Sequence, residues 1–95
     1  EGTAIAEPIR LGPVLDAIRR SSGAVVTVTE DEILAALLEL AAVGLYAEPT
    51  CAAAAAAHTR LVSSGAIDVE ETAVVVLTGS GLKATQRIGE LLSGL

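Results

Sequence analysis

Thr78 is the residue best placed to do chemistry in this chain. It stands at the end of Val74-Val75-Val76-Leu77 and opens the small-residue turn Thr78-Gly79-Ser80-Gly81-Leu82-Lys83. A continuous apolar run of this length predicts a strand buried on both faces, as inside a parallel sheet. In open α/β sheets ligands bind at the carboxyl ends of strands, so the Thr78 hydroxyl would stand at the mouth of a site. Glu48 is the second candidate. It precedes Pro49, whose ring suits the first position of a helix and holds the preceding residue extended. That placement aims the Glu48 carboxylate, either to cap the helix that follows or to share a pocket with Thr78.

The remaining reactive side chains have weaker claims. Gly79-Ser80-Gly81-Leu82-Lys83-Ala84 matches the dinucleotide pattern only loosely, because no acidic ribose partner follows at the required distance. It is not a phosphate loop of the Walker type, since Leu82 stands where that motif has Lys. His58 has no second His at ligand spacing, and Cys51 has no evident base, so neither a metal nor a thiol nucleophile is expected. Cys51 reads as a small buried hydrophobe. Glu30, Asp31 and Glu32 are explained by helix capping.

The elements that must position these residues follow from pattern. Thr3-Ala4-Ile5-Ala6 predicts a short strand, Gly12-Pro13 opens a helix with Val14, Leu15 and Ile18 on one face, and Gly23 stops it. Residues 24–28 predict a second strand. Thr29 and Glu32 form a capping box, and Ile33, Leu34, Leu37, Leu38, Leu40 and Ala41 give the helix behind it a broad apolar face. Glu48-Pro49 opens a third helix through the alanines at 52–57, alanine being the strongest helix former. A third strand at 72–77 and a last helix at about 84–92 complete the order. Alternation of this kind predicts an α/β fragment of a three-layer sandwich: a small, mainly parallel sheet of about three strands, covered by about four helices.

Composition narrows the function classes. The 95-residue chain is 52% hydrophobic yet holds one aromatic, Tyr46, so it lacks the large anchors a small core uses. A net charge of −6 with six scattered basic residues argues against nucleic-acid binding. No apolar run reaches the ~20 residues that span a bilayer. The first residues do not resemble a signal peptide, and one cysteine allows no internal disulfide, which together predict a cytoplasmic setting.

Two segments carry a family likeness. Glu48-Pro49-Thr50-Cys51-Ala52-Ala53 and, some twenty-five residues later, Val-Val-Val-Leu-Thr-Gly-Ser-Gly-Leu-Lys (74–83) resemble the C-terminal part of the threonine synthase family. Residues 22–33 and Ala6-Glu7-Pro8-Ile9-Arg10-Leu11-Gly12-Pro13 extend the likeness toward the N-terminus. That family belongs to the fold-type II pyridoxal-phosphate enzymes, with tryptophan synthase β and the serine/threonine dehydratases. The resemblance implies that residues 1–95 are one part of an incomplete domain, and that Thr78 hydrogen-bonds the pyridine nitrogen of pyridoxal phosphate. It places Glu48 near the same edge of the ring, and Ala6 and Glu7 near its face.

The resemblance also implies limits. The Schiff-base lysine and Gly-rich phosphate loop of the group have no counterpart here, and Lys83 belongs to the Thr-Gly-x-Gly-Leu-Lys motif. The chain by itself should therefore neither bind the cofactor nor catalyse, while its parent would act on a small amino-acid substrate. The alternatives are a fragment of a dehydratase or another β-replacement enzyme, and a stand-alone α/β interaction domain. Surfaces left uncovered should make the fragment self-associate, as a homo-dimer for example.

Overall fold

The computed structural model describes residues 3–95, and the elements it contains are helices joined by irregular segments. Four α-helices follow in order: α1 (Leu11–Arg20), α2 (Glu30–Ala42), α3 (Pro49–Ser63) and α4 (Thr85–Ser93), with a 3-10 turn at Gly81–Ala84 leading into α4. Local chemistry accounts for their ends. Thr29 and Glu32 cap α2 reciprocally: the Thr29 N–H donates to Glu32 Oε2 at 2.7 Å, and the Glu32 N–H to Thr29 Oγ1 at 3.3 Å. Pro49 occupies the start of α3 with Glu48 extended before it (φ −75°, ψ 155°). α2 stops through Gly44 at φ +86°, whose N–H bonds Ala41 O while that of Leu45 bonds Leu40 O. α1 stops the same way but one residue earlier than expected. Ser22, not Gly23, takes the left-handed conformation (φ 54°), and the Gly23 N–H returns to Ile18 O at 2.9 Å.

The expected sheet does not form. Residues 3–6, 24–28 and 72–77 are irregular, and the one β-type pairing among the described residues is the isolated antiparallel bridge between Ala47 and Ser80. The three-layer α/β sandwich is therefore replaced by a helical arrangement. The reason is that a strand exists only through its ladder. No backbone hydrogen bond joins 24–28 to 72–77; each segment lies instead against the helices. Thr27 O accepts from Arg60 Nη1 of α3 at 2.7 Å. Val75 and Leu77 share a recess with Leu40 and Val43 at the end of α2 and with His58 of α3. Burial alternates along 74–77 rather than covering both faces: Val75 and Leu77 are half-buried, whereas Val74 is 85% and Val76 67% exposed.

The core is correspondingly thin. It consists of Leu37 of α2, Ala52 of α3 and Ile88 of α4, flanked by Ile33, Leu34, Leu40 and Ala84. α2 and α3 pack as a hairpin through small side chains, Ala36, Ala52 and Ala56, which lets their backbones approach closely. The broad apolar face expected on α2 is only partly used, because Leu38 and Ala41 remain exposed. α1 keeps its Asp16–Arg20 pair at 2.9 Å but buries no residue, so Val14 and Leu15 face outward. α4 turns Ile88 inward and leaves Leu92 exposed. The radius of gyration is 14.5 Å, against about 12 Å for a compact domain of this length. With extents of 41 × 37 × 19 Å the chain is a slab that does not close around its core.

Candidate functional site

The turn after residue 77 is held by a two-bond clip to the segment that leads into α3. The Gly81 N–H donates to Tyr46 O at 2.8 Å and the Glu48 N–H to Gly79 O at 3.1 Å, with Ala47 opposite Ser80 between them. Ala47 is 3% exposed and Gly81 is buried, whereas Ser80, opposite Ala47, is exposed. Ser80 then caps the 3-10 turn by accepting from the Leu82 N–H at 3.2 Å. This clip brings Thr78 and Glu48, thirty residues apart in sequence, into neighbouring positions.

Their side chains nonetheless open onto different spaces. Thr78 lines a recess of about 290 Å³ with Leu45, Ala47, Leu77 and Ser80. Glu48 lines a cleft of about 930 Å³ between the N-terminal ends of α2 and α3 and the start of α4, with Glu30, Thr50, Lys83 and Arg87. The single pocket expected for the pair is thus two spaces on either side of the clip. Glu48 takes the N-cap position of α3, but its side chain makes no capping bond. Its carboxylate lies instead where a Cβ on Gly79 would stand. Ala6 and Glu7 are exposed in the segment before α1 and line neither space.

The electrostatics near these spaces are modest. Arg87 pairs with Glu90 of its own helix at 3.5 Å, an exposed contact of little energetic weight. The stronger pair lies at the far end of α3, where Arg60 forks onto both carboxylate oxygens of Glu32 at 2.9 and 2.8 Å. The Glu32 carboxyl is held below its ordinary value first by the Thr29 backbone N–H, which outweighs the opposing cost of desolvation, with smaller lowering contributions from Arg60 and the Thr29 hydroxyl. Cys51 is a buried free thiol in α3. Among the described residues no three His, Cys, Asp or Glu side chains gather as a metal site, and no helix is long and apolar enough to cross a membrane.

A sequence comparison decides the family. Residues 1–79 match the profile of the family described as pyridoxal-phosphate dependent enzyme. The chain belongs to that family. Among its relatives, a threonine synthase of Methanosarcina acetivorans is 41% identical over 85 residues, which is 88% of this chain and 21% of that protein. A threonine synthase of Halalkalibacterium halodurans is 40% identical over 90 residues, 87% of this chain and 25% of that protein. Threonine synthase 2, chloroplastic, of Arabidopsis thaliana is 33% identical over 82 residues, 86% of this chain and 16% of that protein. The chain thus spans about a fifth to a quarter of the length of the first two relatives. No solved structure matches it.

The residues fit one edge of the family's cofactor. Thr78 is exposed, its hydroxyl makes no protein hydrogen bond among the described residues, and its open recess is lined by Leu45, Ala47 and Leu77 together with the polar turn at Gly79 and Ser80. A hydroxyl with a free donor and free lone pairs beside such walls suits an aromatic ring nitrogen. Small-molecule sites run to about 300–1,000 Å³, so the recess accommodates a ring edge rather than a whole cofactor. Sequence reasoning missed the pairing of Tyr46 with Gly81 and of Glu48 with Gly79. The signal was present in the equal two-residue spacing of Tyr46-x-Glu48 and Gly79-x-Gly81.

Proposed function

We propose that this chain is the part of a threonine synthase that supplies Thr78 as the partner of the cofactor's pyridine nitrogen. The parent would convert O-phosphohomoserine and water to threonine and phosphate. The observation that carries the reading is the exposed Thr78 hydroxyl, without a protein partner among the described residues and held by the Ala47–Ser80 clip at the mouth of an open recess. The threonine synthase relatives at about 40% identity over most of the chain support the same assignment. Pyridoxal phosphate, when bound, supplies a conjugated ring that takes up negative charge developing on the amino-acid substrate.

The roles of the chain's own groups follow from their chemistry. Thr78 would donate a hydrogen bond from its hydroxyl to the ring nitrogen and so orient that edge of the ring. A neutral hydroxyl does not force the nitrogen to carry a proton, as a carboxylate partner would, so the electron demand of the ring is tempered. Leu45, Ala47 and Leu77 would offer apolar contact to the ring beside that nitrogen. Glu48, across the clip, contributes negative charge on the neighbouring cleft. Residues 1–95 form one part of the catalytic domain, Lys83 is not the lysine that holds the cofactor, and the chain alone is inactive. Its uncovered apolar residues, Val25, Val74 and Val76, favour self-association of the isolated chain.

Replacing Thr78 by Val in the full-length protein tests the central assignment. Valine keeps the shape and removes the hydrogen bond, so cofactor affinity should fall about threefold to tenfold, the worth of one neutral hydrogen bond. An absorbance titration of the apoprotein with pyridoxal phosphate measures it. An unchanged dissociation constant, with unchanged turnover, would remove Thr78 from the site.

A further inference from the structure

The clip has a feature that capping and strand pairing do not require: both positions facing Tyr46 and Glu48 are glycine. In an antiparallel pair side chains alternate between faces, so Tyr46 and Glu48 share a face with positions 79 and 81, while Ala47 and Ser80 take the other. The space beside each glycine is filled from across the clip. A Cβ on Gly81 would lie 2.6 Å from Cδ2 and Cε2 of Tyr46 and 2.8 Å from its Cζ. A Cβ on Gly79 would collide with the Glu48 carboxylate. The Gly-x-Gly spacing is thus the complement of Tyr-x-Glu, two large side chains laid flat over two bare backbone positions.

We propose that Gly79 and Gly81 are positioning residues for Thr78. By admitting Glu48 and Tyr46 against the backbone they set the register of the clip, and so the direction in which the hydroxyl one residue before Gly79 leaves the chain. The proposal rests on the reading of Thr78 as a cofactor contact. The two glycines are unequal. The Tyr46 ring is stiff and is tied at its far end, its hydroxyl donating to Thr85 Oγ1 at 3.4 Å, so a methyl at 81 must push the ring out or open the clip. The end of the Glu48 side chain can swing into the 930 Å³ cleft it already lines, so a methyl at 79 is met by a side-chain rotation. Gly81 therefore carries most of the positioning, and Tyr46 is its counterpart.

The test is a double-variant cycle in the full-length holoprotein, read as the dissociation constant for pyridoxal phosphate alongside the thermal midpoint. Gly81→Ala should weaken cofactor binding about tenfold and Gly79→Ala about threefold or less, in keeping with couplings between touching residues. Tyr46→Ala makes room for the methyl, so Tyr46→Ala/Gly81→Ala should bind within about twofold of Tyr46→Ala alone. A Gly81→Ala protein that melts earlier but binds the cofactor as before would make the glycine merely structural and overturn the proposal. So would strictly additive losses in the cycle. If Gly81→Ala alone does not fold, a folded double variant that binds like Tyr46→Ala sustains the proposal, and a double variant that also fails to fold overturns it. Thr78→Val separates the two levels. An effect there with none at Gly81 removes only the clip's role, and no effect at Thr78 removes both.

Discussion

Ile88→Ala should undo the docking of α4, and its cost can be worked from the packing. Ile88 is 5% exposed and is the one residue of α4 in the core, where it meets Leu37 and Ala52. The change deletes three carbons, worth about 2.4 kcal/mol at ~0.8 kcal/mol each. A cavity term adds to this when the surroundings cannot collapse, and Ile→Ala changes in cores span about 2–5 kcal/mol. Here Ile33, Leu34 and Leu40 are only half-buried and free to move in, so the lower part of that range applies, about 2–3 kcal/mol. Leu92, on the same helix but 44% exposed, is the control, and its replacement by Ala should cost less than about 1 kcal/mol. Urea denaturation gives the free-energy differences. Amide hydrogen exchange should show α4 and the 3-10 turn losing protection before the α2–α3 hairpin. If Ile88→Ala cost no more than Leu92→Ala, the assignment of the core would be refuted. The consequence reaches the site, because α4 follows directly from the turn that carries Gly81.

The Glu32 carboxyl has a folded-state pKa below the ordinary 4.5, so its stabilising contribution is complete above the unfolded value and is lost as pH falls through the lower folded value. Acid titration of stability should therefore show a loss beginning below about pH 4.5, diminished in Arg60→Gln; an identical acid limb in that variant would refute the role of Arg60. Self-association of the isolated chain should appear as a rise in weight-average mass with concentration in sedimentation equilibrium, and a monomer at every concentration would count against it.

The local chemistry of the helices was readable before the fold was known. Thr29 and Glu32 cap α2 as their spacing required, Pro49 opens α3, and the alanine block makes a helix that packs closely. These features depend on residues within four positions of one another, where backbone geometry leaves few choices. The membership of the family was legible in the Glu48-Pro49 and Thr78–Lys83 segments for a similar reason: both are short stretches whose residues act through local backbone. The sheet was not legible. Residues 24–28 and 72–77 have strand composition, but composition specifies only that a segment can be half-buried in extended form. What lies beside it is a long-range matter, and here the neighbours are helices.

Sequence alone therefore determined the existence and order of the helices, the cap at Thr29, and the extended Glu48 ahead of Pro49. Only the tertiary structure decided how those pieces meet. It set Ala47 against Ser80, gave Thr78 and Glu48 separate spaces on either side of that clip, and assigned Gly79 and Gly81 to the Glu48 carboxylate and the Tyr46 ring. The physical reason is distance along the chain. A cap satisfies a donor three residues away, whereas the clip joins residues 46–48 to 79–81, and a pairing across that interval depends on how α3, between them, lies on α2.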